Sequence, residues 1–264
     1  HDALPILFVM FLSILLEVFG QVPIEITNLF SGRFEKTLPY VIFIFGVLVK
    51  YYVIIVLLKW LSNRVNEEKH KPHLNWKSFG YATLMIISFR LIFDNSLIFW
   101  VSGISTPSFI NEVVDELAIS PIISIISVII VAPIYEEIIF RGILLKGMSK
   151  KTNSAVAIVV SALLFAVVHM NIPQGINAFL LGLVLGFIYL NKRSIYLSIF
   201  AHFINNFLAL SLSSFFSSIG GEYAIEIHCI FSFVGIILLI IAFDGYKQNK
   251  IKNKPSIYKQ FIEV

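Results

Sequence analysis

Eight stretches of the sequence are apolar and close to bilayer length: 3–20, 39–61, 79–101, 118–135, 154–170, 176–191, 194–215 and 225–243. A helix needs about 20 mostly apolar residues to cross the hydrocarbon core. The expected fold is therefore all-α, a polytopic membrane helix bundle with about eight transmembrane helices, the fourth continuing as a helix to about residue 148. Composition agrees: 58% of residues are hydrophobic and 14% charged, where soluble domains carry about 25% charged residues. Residues 3–20 lack a basic leader and a small-residue cleavage site, so they are expected as a span rather than a signal peptide. No stretch between the spans is long enough to fold as a soluble domain. The single cysteine, Cys229, excludes an intrachain disulfide and a cysteine-based zinc site.

Charge placement gives an orientation, because Lys and Arg gather on the cytoplasmic side. The linker 62–78 carries Arg64, Lys69, Lys71 and Lys77, and the turn after residue 140 carries Arg141, Lys146, Lys150 and Lys151. Lys192 and Arg193 mark a third turn, and five lysines mark the tail from Lys247 onward. The alternate connections hold only Arg33 and Lys36, and one of them is acidic, with Glu112, Asp115 and Glu116. Eight spans put every basic segment on one side, so both termini are expected to be cytoplasmic. The basic tail then reads as a topology signal touching anionic membrane lipids rather than as a nucleic-acid arm.

Within this apolar chain, Ile119–Ala132 has no charge, and then Glu136 and Glu137 stand side by side, with Arg141 four residues after the second. Ionisable residues at membrane depth are costly and are candidate functional groups by default. Neighbouring helical residues point about 100° apart, so the two glutamates need not share a role. Glu137 and Arg141 are spaced for an ion pair in the favourable order, which assigns them to structural support and leaves Glu136 to hold a water. His169, His202 and Asn206 are further polar groups in apolar segments, and His202 and Asn206 share a helix face. A helical hairpin turning at Lys150–Lys151 brings Glu136 and His169 to similar height. The set suits hydrolysis of an amide, with a carboxylate as general base and donors for an oxyanion. A zinc site built from His169, His202 and Glu136 suits the same residues. Three other residues lie within spans: Arg90 and Asp94, spaced to pair on one face, and Lys50, near the middle of its stretch.

Glu-Glu-x-x-x-Arg at 136–141, Phe-x-x-x-His at 165–169 and His-x-x-x-Asn at 202–206 follow one another on successive apolar segments. In this the chain resembles the CAAX protease and bacteriocin-processing family of intramembrane proteases, also called the Abi family. That family includes type II CAAX prenyl endopeptidases and proteins like lysostaphin resistance protein A. The resemblance divides the chain into N-terminal transmembrane helices (1–117), a core (118–215) and a last helix with basic tail (216–264). It implies an intramembrane endopeptidase acting on a membrane-associated or lipidated peptide. Glu136 and His169 would activate water, and His202 and Asn206 would stabilise the oxyanion. A metal-free, glutamate-dependent route is favoured, so no cofactor is expected, with zinc as the alternative. The Ile-, Phe-, Asn- and Lys-rich, Ala-poor composition points to an AT-rich bacterial genome and hence a bacterial plasma membrane. Two other classes are weighed: a non-catalytic membrane partner or bacteriocin self-immunity protein, and a transporter lined by Arg90, Asp94 and the His/Glu cluster.

Overall fold

The computed structural model describes residues 37–62, 74–98, 121–169, 172–220 and 223–248. Among them there is no strand. The helices are α1 (Leu38–Ser62), α2 (Trp76–Ile92) with a π-helical continuation Phe93–Leu97, α3 (Pro121–Met148), α4 (Ser154–Val167), α5 (Ile172–Lys192), α6 (Ile195–Ser217) and α7 (Ala224–Gln248). Each coincides with one of the apolar stretches. The stretch 3–20, the acidic connection 102–117 and the tail beyond 248 lie outside the described residues.

About eight spans are expected from the sequence; four of the described helices, α3, α5, the part of α6 from Ile195 to Leu212, and α7, are long and apolar enough to cross a membrane. α1 is a helix of 25 residues, apolar from Phe43 to Val56 apart from Lys50, and α4 is apolar from Ser154 to Val167. Fourteen residues of helix rise about 21 Å, less than the roughly 30 Å hydrocarbon core. α2 carries Lys77, Arg90 and, in its continuation, Asp94. The chain is nonetheless a membrane protein: α7 leaves Ile230, Phe233, Ile237, Ile240 and Ile241 exposed along its outer face, a surface that only lipid or another apolar partner tolerates. Cys229 is exposed on the same helix.

Local signals start the helices. Asn75 caps α2, its Oδ1 accepting from the Ser78 N–H at 2.9 Å, and Asn153 caps α4, accepting from Val156 N–H at 2.8 Å. Ser194 Oγ accepts from Leu197 N–H at 3.3 Å at the start of α6. These caps satisfy N–H groups that a helix start leaves without intrahelical partners. The tight turn before it is closed by Arg193, whose φ of 50° is left-handed.

α3 is not a uniform helix. It widens to π geometry at Ser127–Val131 and at Ile138–Leu145, with an α-helical segment Ala132–Glu137 between them. Pro133 lies within that segment and has no N–H to donate to the preceding turn. A wider turn just upstream absorbs the missing bond, and π segments of this kind often mark functional positions in a helix. The glutamate pair thus sits between two local changes of helical register.

Two packing centres hold the described helices. One gathers Met85, Ile86, Phe89 and Phe93 of α2 against Leu185 and Ile188 of α5, Leu197 and Ala201 of α6, and Ala242 and Tyr246 of α7. The other joins Tyr135, Ile139, Phe140 and Leu144 of α3 with Phe165 of α4, Ala178 of α5 and Ile54 of α1. Between them, α4 and α5 lie unusually close. Gly182 and Gly186 are four apart on α5, and a Cβ at Gly182 would stand 2.9 Å from the Ala162 Cβ and 3.0 Å from its Cα. One at Gly186 would stand 3.1 Å from Ile158 Cγ2. This is the small-residue spacing by which membrane helices pack without a hydrophobic driving force. Gly182→Ala is expected to push α4 from α5 and lower stability by about 1–3 kcal/mol. Thermal unfolding in detergent reads this, and an unchanged midpoint would show that the close approach is not needed.

Candidate active site

The motif residues converge where α3, α4 and α6 meet. Phe140 of α3 and Phe165 of α4 meet at 4.9 Å between ring centroids with their planes tilted by 59°, and Ser161 Oγ donates to the Phe140 carbonyl at 3.0 Å. The helices are antiparallel, so one turn back from Phe140 to Glu136 matches one turn on from Phe165 to His169. The similar height expected from the hairpin is therefore the height found.

The two glutamates differ in surroundings. The Glu137 side chain is fully buried, while that of Glu136 keeps 17% exposure. Glu137 Oε1 accepts from Arg141 Nη1 at 2.7 Å and pairs with His202 Nδ1 at 2.9 Å. Its Oε2 accepts from Ser198 Oγ. A carboxylate already held by a guanidinium is an acceptor, so His202 Nδ1 carries the hydrogen. That directs His202 Nε2 toward Glu136, whose Oε2 lies 3.7 Å away. Glu137 therefore does more than pair with Arg141: it sets the ring orientation of His202.

Arg141 is 1% exposed. Its Nη2 reaches the Gly182 carbonyl at 3.4 Å, and its guanidinium lies 4.6 Å from the Phe165 ring centroid. The same Phe165 ring meets the rings of His169 at 4.8 Å and His202 at 5.9 Å, edge to face. Phe165 is thus a shared wall for all three. His169 Nδ1 donates to the Phe165 carbonyl at 2.8 Å. A carbonyl can only accept, so Nε2 is the basic nitrogen of neutral His169. Asn206 lies one turn beyond His202; its Nδ2 donates to the Val128 carbonyl at 2.8 Å, and its Oδ1 accepts from Asn205 at 3.0 Å. An amide nitrogen has two hydrogens, so the Val128 bond uses only one.

The sequence-predicted residues are thus all in or beside one cluster on three helices. Ser198 was not among them. Its signal was its spacing, one helical turn before His202 and hence on the same face. Asn205, 2% exposed, was also passed over; its Oδ1 has no partner among the described residues. Arg90 and Asp94 pair as expected, with Arg90 Nε donating to Oδ2 at 2.9 Å, but elsewhere. Arg90 Nη1 reaches Asn177 of α5 at 3.5 Å, and neighbouring Asn95 bonds His228 of α7 at 2.7 Å. These contacts tie α2 to α5 and α7.

For zinc, the relevant donors are His169, His202 and Glu136. Among the described residues no group of three His, Cys, Asp or Glu side chains is arranged to hold a metal ion. His169 and His202 each commit Nδ1 to a protein acceptor, which leaves Nε2 as the nitrogen that could ligate.

Comparison with known proteins bears on the same helices. Residues 118–208 match the model of a family described as type II CAAX prenyl endopeptidase Rce1-like. The chain is 33% identical over 129 residues to the "Putative membrane peptidase YdiL" of Bacillus subtilis (strain 168), covering 48% of this chain and 52% of that protein. The chain thus spans about half the length of the curated relative it matches. No solved structure matches it. Every motif residue from Glu136 to Asn206 falls inside residues 118–208, the segment that is similar to the type II CAAX prenyl endopeptidase Rce1-like family.

Proposed function

We propose that this protein is an intramembrane endopeptidase that cleaves a peptide bond of a membrane-associated or lipidated peptide, using water activated by Glu136. The observation that carries the reading is the unequal pair of glutamates: one is buried and fully engaged, the other partly open and facing a histidine that the first one orients. Water bound between Glu136 and His169 gives a proton to Glu136 as its oxygen attacks the carbonyl carbon. A C–O bond forms, and the carbonyl electron pair moves to the oxygen. His202 Nε2–H and the second amide hydrogen of Asn206 meet that oxyanion. Collapse restores the C=O bond and breaks the C–N bond, and Glu136 delivers its proton to the leaving amine. This role has both His202 ring nitrogens carry hydrogen, Nδ1–H to Glu137 and Nε2–H to the oxyanion.

No step is routed through a metal. The peptidase would sit in a bacterial plasma membrane, with the turns at Lys150–Lys151 and Lys192–Arg193 on the cytoplasmic side. The test is cleavage of lipidated and unlipidated peptides in proteoliposomes, with and without a strong zinc chelator. Cleavage that persists in chelator is the expected result. Loss of cleavage in chelator, restored by zinc, would overturn the metal-free route. Peptide binding without cleavage would favour the self-immunity reading instead.

A further inference from the structure

Lys50 is the intramembrane charge that the candidate site does not absorb. It stands at the midpoint of α1, twelve residues from Leu38 and twelve from Ser62. At 1.5 Å per residue that is about 18 Å from either end, beyond what a lysine stem can span by snorkelling. An ammonium at such depth is expensive unless something holds it. Its one recorded contact is with an aromatic ring: Nζ lies 5.5 Å from the centroid of Tyr135. No carboxylate pairs with Lys50 among the described residues. Arg90, Arg141 and His202, by contrast, each have one.

The place of this cation matters as much as its isolation. Tyr135 immediately precedes Glu136 on α3. One turn further along α1, Ile54 is 2% exposed and buried in the cluster that holds Tyr135, Ile139, Phe140 and Phe165. Val49 and Val53 pack on the same cluster. The face of α1 that carries Lys50 is therefore the face laid against the glutamate helix. Lys50 itself is half-buried, so its ammonium keeps access to an incoming group.

We infer that Lys50 is a specificity residue of the site: it binds a carboxylate of the peptide substrate beside Glu136. This rests on the peptidase reading above. The argument is chemical. A peptide that partitions into a membrane can dispense with acidic side chains, but a free C-terminus always carries a carboxylate. Within an apolar site, an unpaired ammonium is the natural partner for it, and each charge lowers the cost of burying the other. The π face of Tyr135 holds the ammonium in the meantime. A substrate carboxylate bound at Lys50 would set which peptide bond lies at Glu136.

Binding and cleavage are measured separately, so that this inference and the peptidase reading can fail independently. Fluorescein-labelled apolar hexapeptides are prepared in three forms: ending in a free carboxylate, ending in an amide, and amidated with one internal Glu. Affinity is measured by fluorescence anisotropy for the protein in nanodiscs. Wild type should bind the acid form about tenfold more tightly than the plain amide, and Lys50→Met should bring that ratio near one. Lys50→Arg should keep most of the preference, which a merely structural role for Lys50 would not predict. Tight binding of the Glu-containing amide, lost in Lys50→Met, supports the same carboxylate chemistry with a side chain as its source. Absence of an acid preference in wild type, or its persistence in Lys50→Met, would overturn the inference. The peptidase reading is judged on cleavage alone, which Glu136→Ala must abolish whatever Lys50 does.

Discussion

Replacing Arg141 by Ala is expected to lower stability by about 3–5 kcal/mol, the cost of leaving a buried charge without its partner. The side chains of Arg141 and Glu137 are 1% and 0% exposed, so no solvent takes over when the guanidinium goes. The loss is not confined to one bond. Arg141 also reaches the Gly182 carbonyl on α5 and covers the Phe165 ring on α4, so three helices lose a common contact. Lysine should rescue only part of this, because it offers a point charge where the site uses a planar fork. Paired removal separates charge from packing: Glu137→Gln with Arg141→Met should cost less than the single changes added together, since neither charge is left alone. Unfolding midpoints in mild detergent measure wild type and all five variants. An Arg141→Ala protein within about 0.5 kcal/mol of wild type would show that the pair does not hold the helices together.

The sequence made much of this visible because membranes simplify the problem. Every described helix lies under an apolar stretch, since a spanning segment must satisfy its own backbone. Polar residues inside such stretches are few, so Glu136, Glu137, Arg141, His169, His202 and Asn206 stood out by contrast alone. The Glu137–Arg141 pair followed from helical spacing. What stayed hidden is what spacing along one helix cannot carry. That Glu137 also grips His202 and Ser198 depends on how α6 packs on α3. Ser198 is a common residue in a helix and becomes informative only beside a buried carboxylate. The commitment of an Asn206 amide hydrogen to Val128 depends on the wide turn at Ser127–Val131, which apolar periodicity does not mark. Lys50 was noticeable by depth, but its meeting with Tyr135 is a fact of tertiary packing. Span counting was the coarsest inference, because apolar stretches alone do not fix helix length: α4 has 14 helical residues where α3 has 28.

Glu136→Gln is expected to reduce peptide cleavage by roughly 10²–10⁴-fold, the range that a positioned general base contributes, while leaving the unfolding midpoint nearly unchanged. The two halves of that expectation come from the same geometry. Glutamine keeps the shape and hydrogen-bonding reach of the side chain but cannot take a proton from water. Because the Glu136 side chain is 17% exposed, removing its charge leaves the buried Glu137–Arg141 pair intact. The same change at Glu137 must behave differently. There the carboxylate receives Arg141, His202 and Ser198 at once, so an amide would present hydrogens to groups that already donate. Glu137→Gln should therefore lose stability and activity together, whereas Glu136→Gln should lose activity alone. The comparison is made on purified proteins in proteoliposomes, with peptide cleavage and thermal unfolding measured on the same preparations. If Glu136→Gln cleaves at the wild-type rate, the base must be sought at His169, whose Nε2 is the other basic group at this level. If Glu137→Gln instead folds normally and is the inactive one, the buried glutamate performs the chemistry and the division of roles between the pair is reversed.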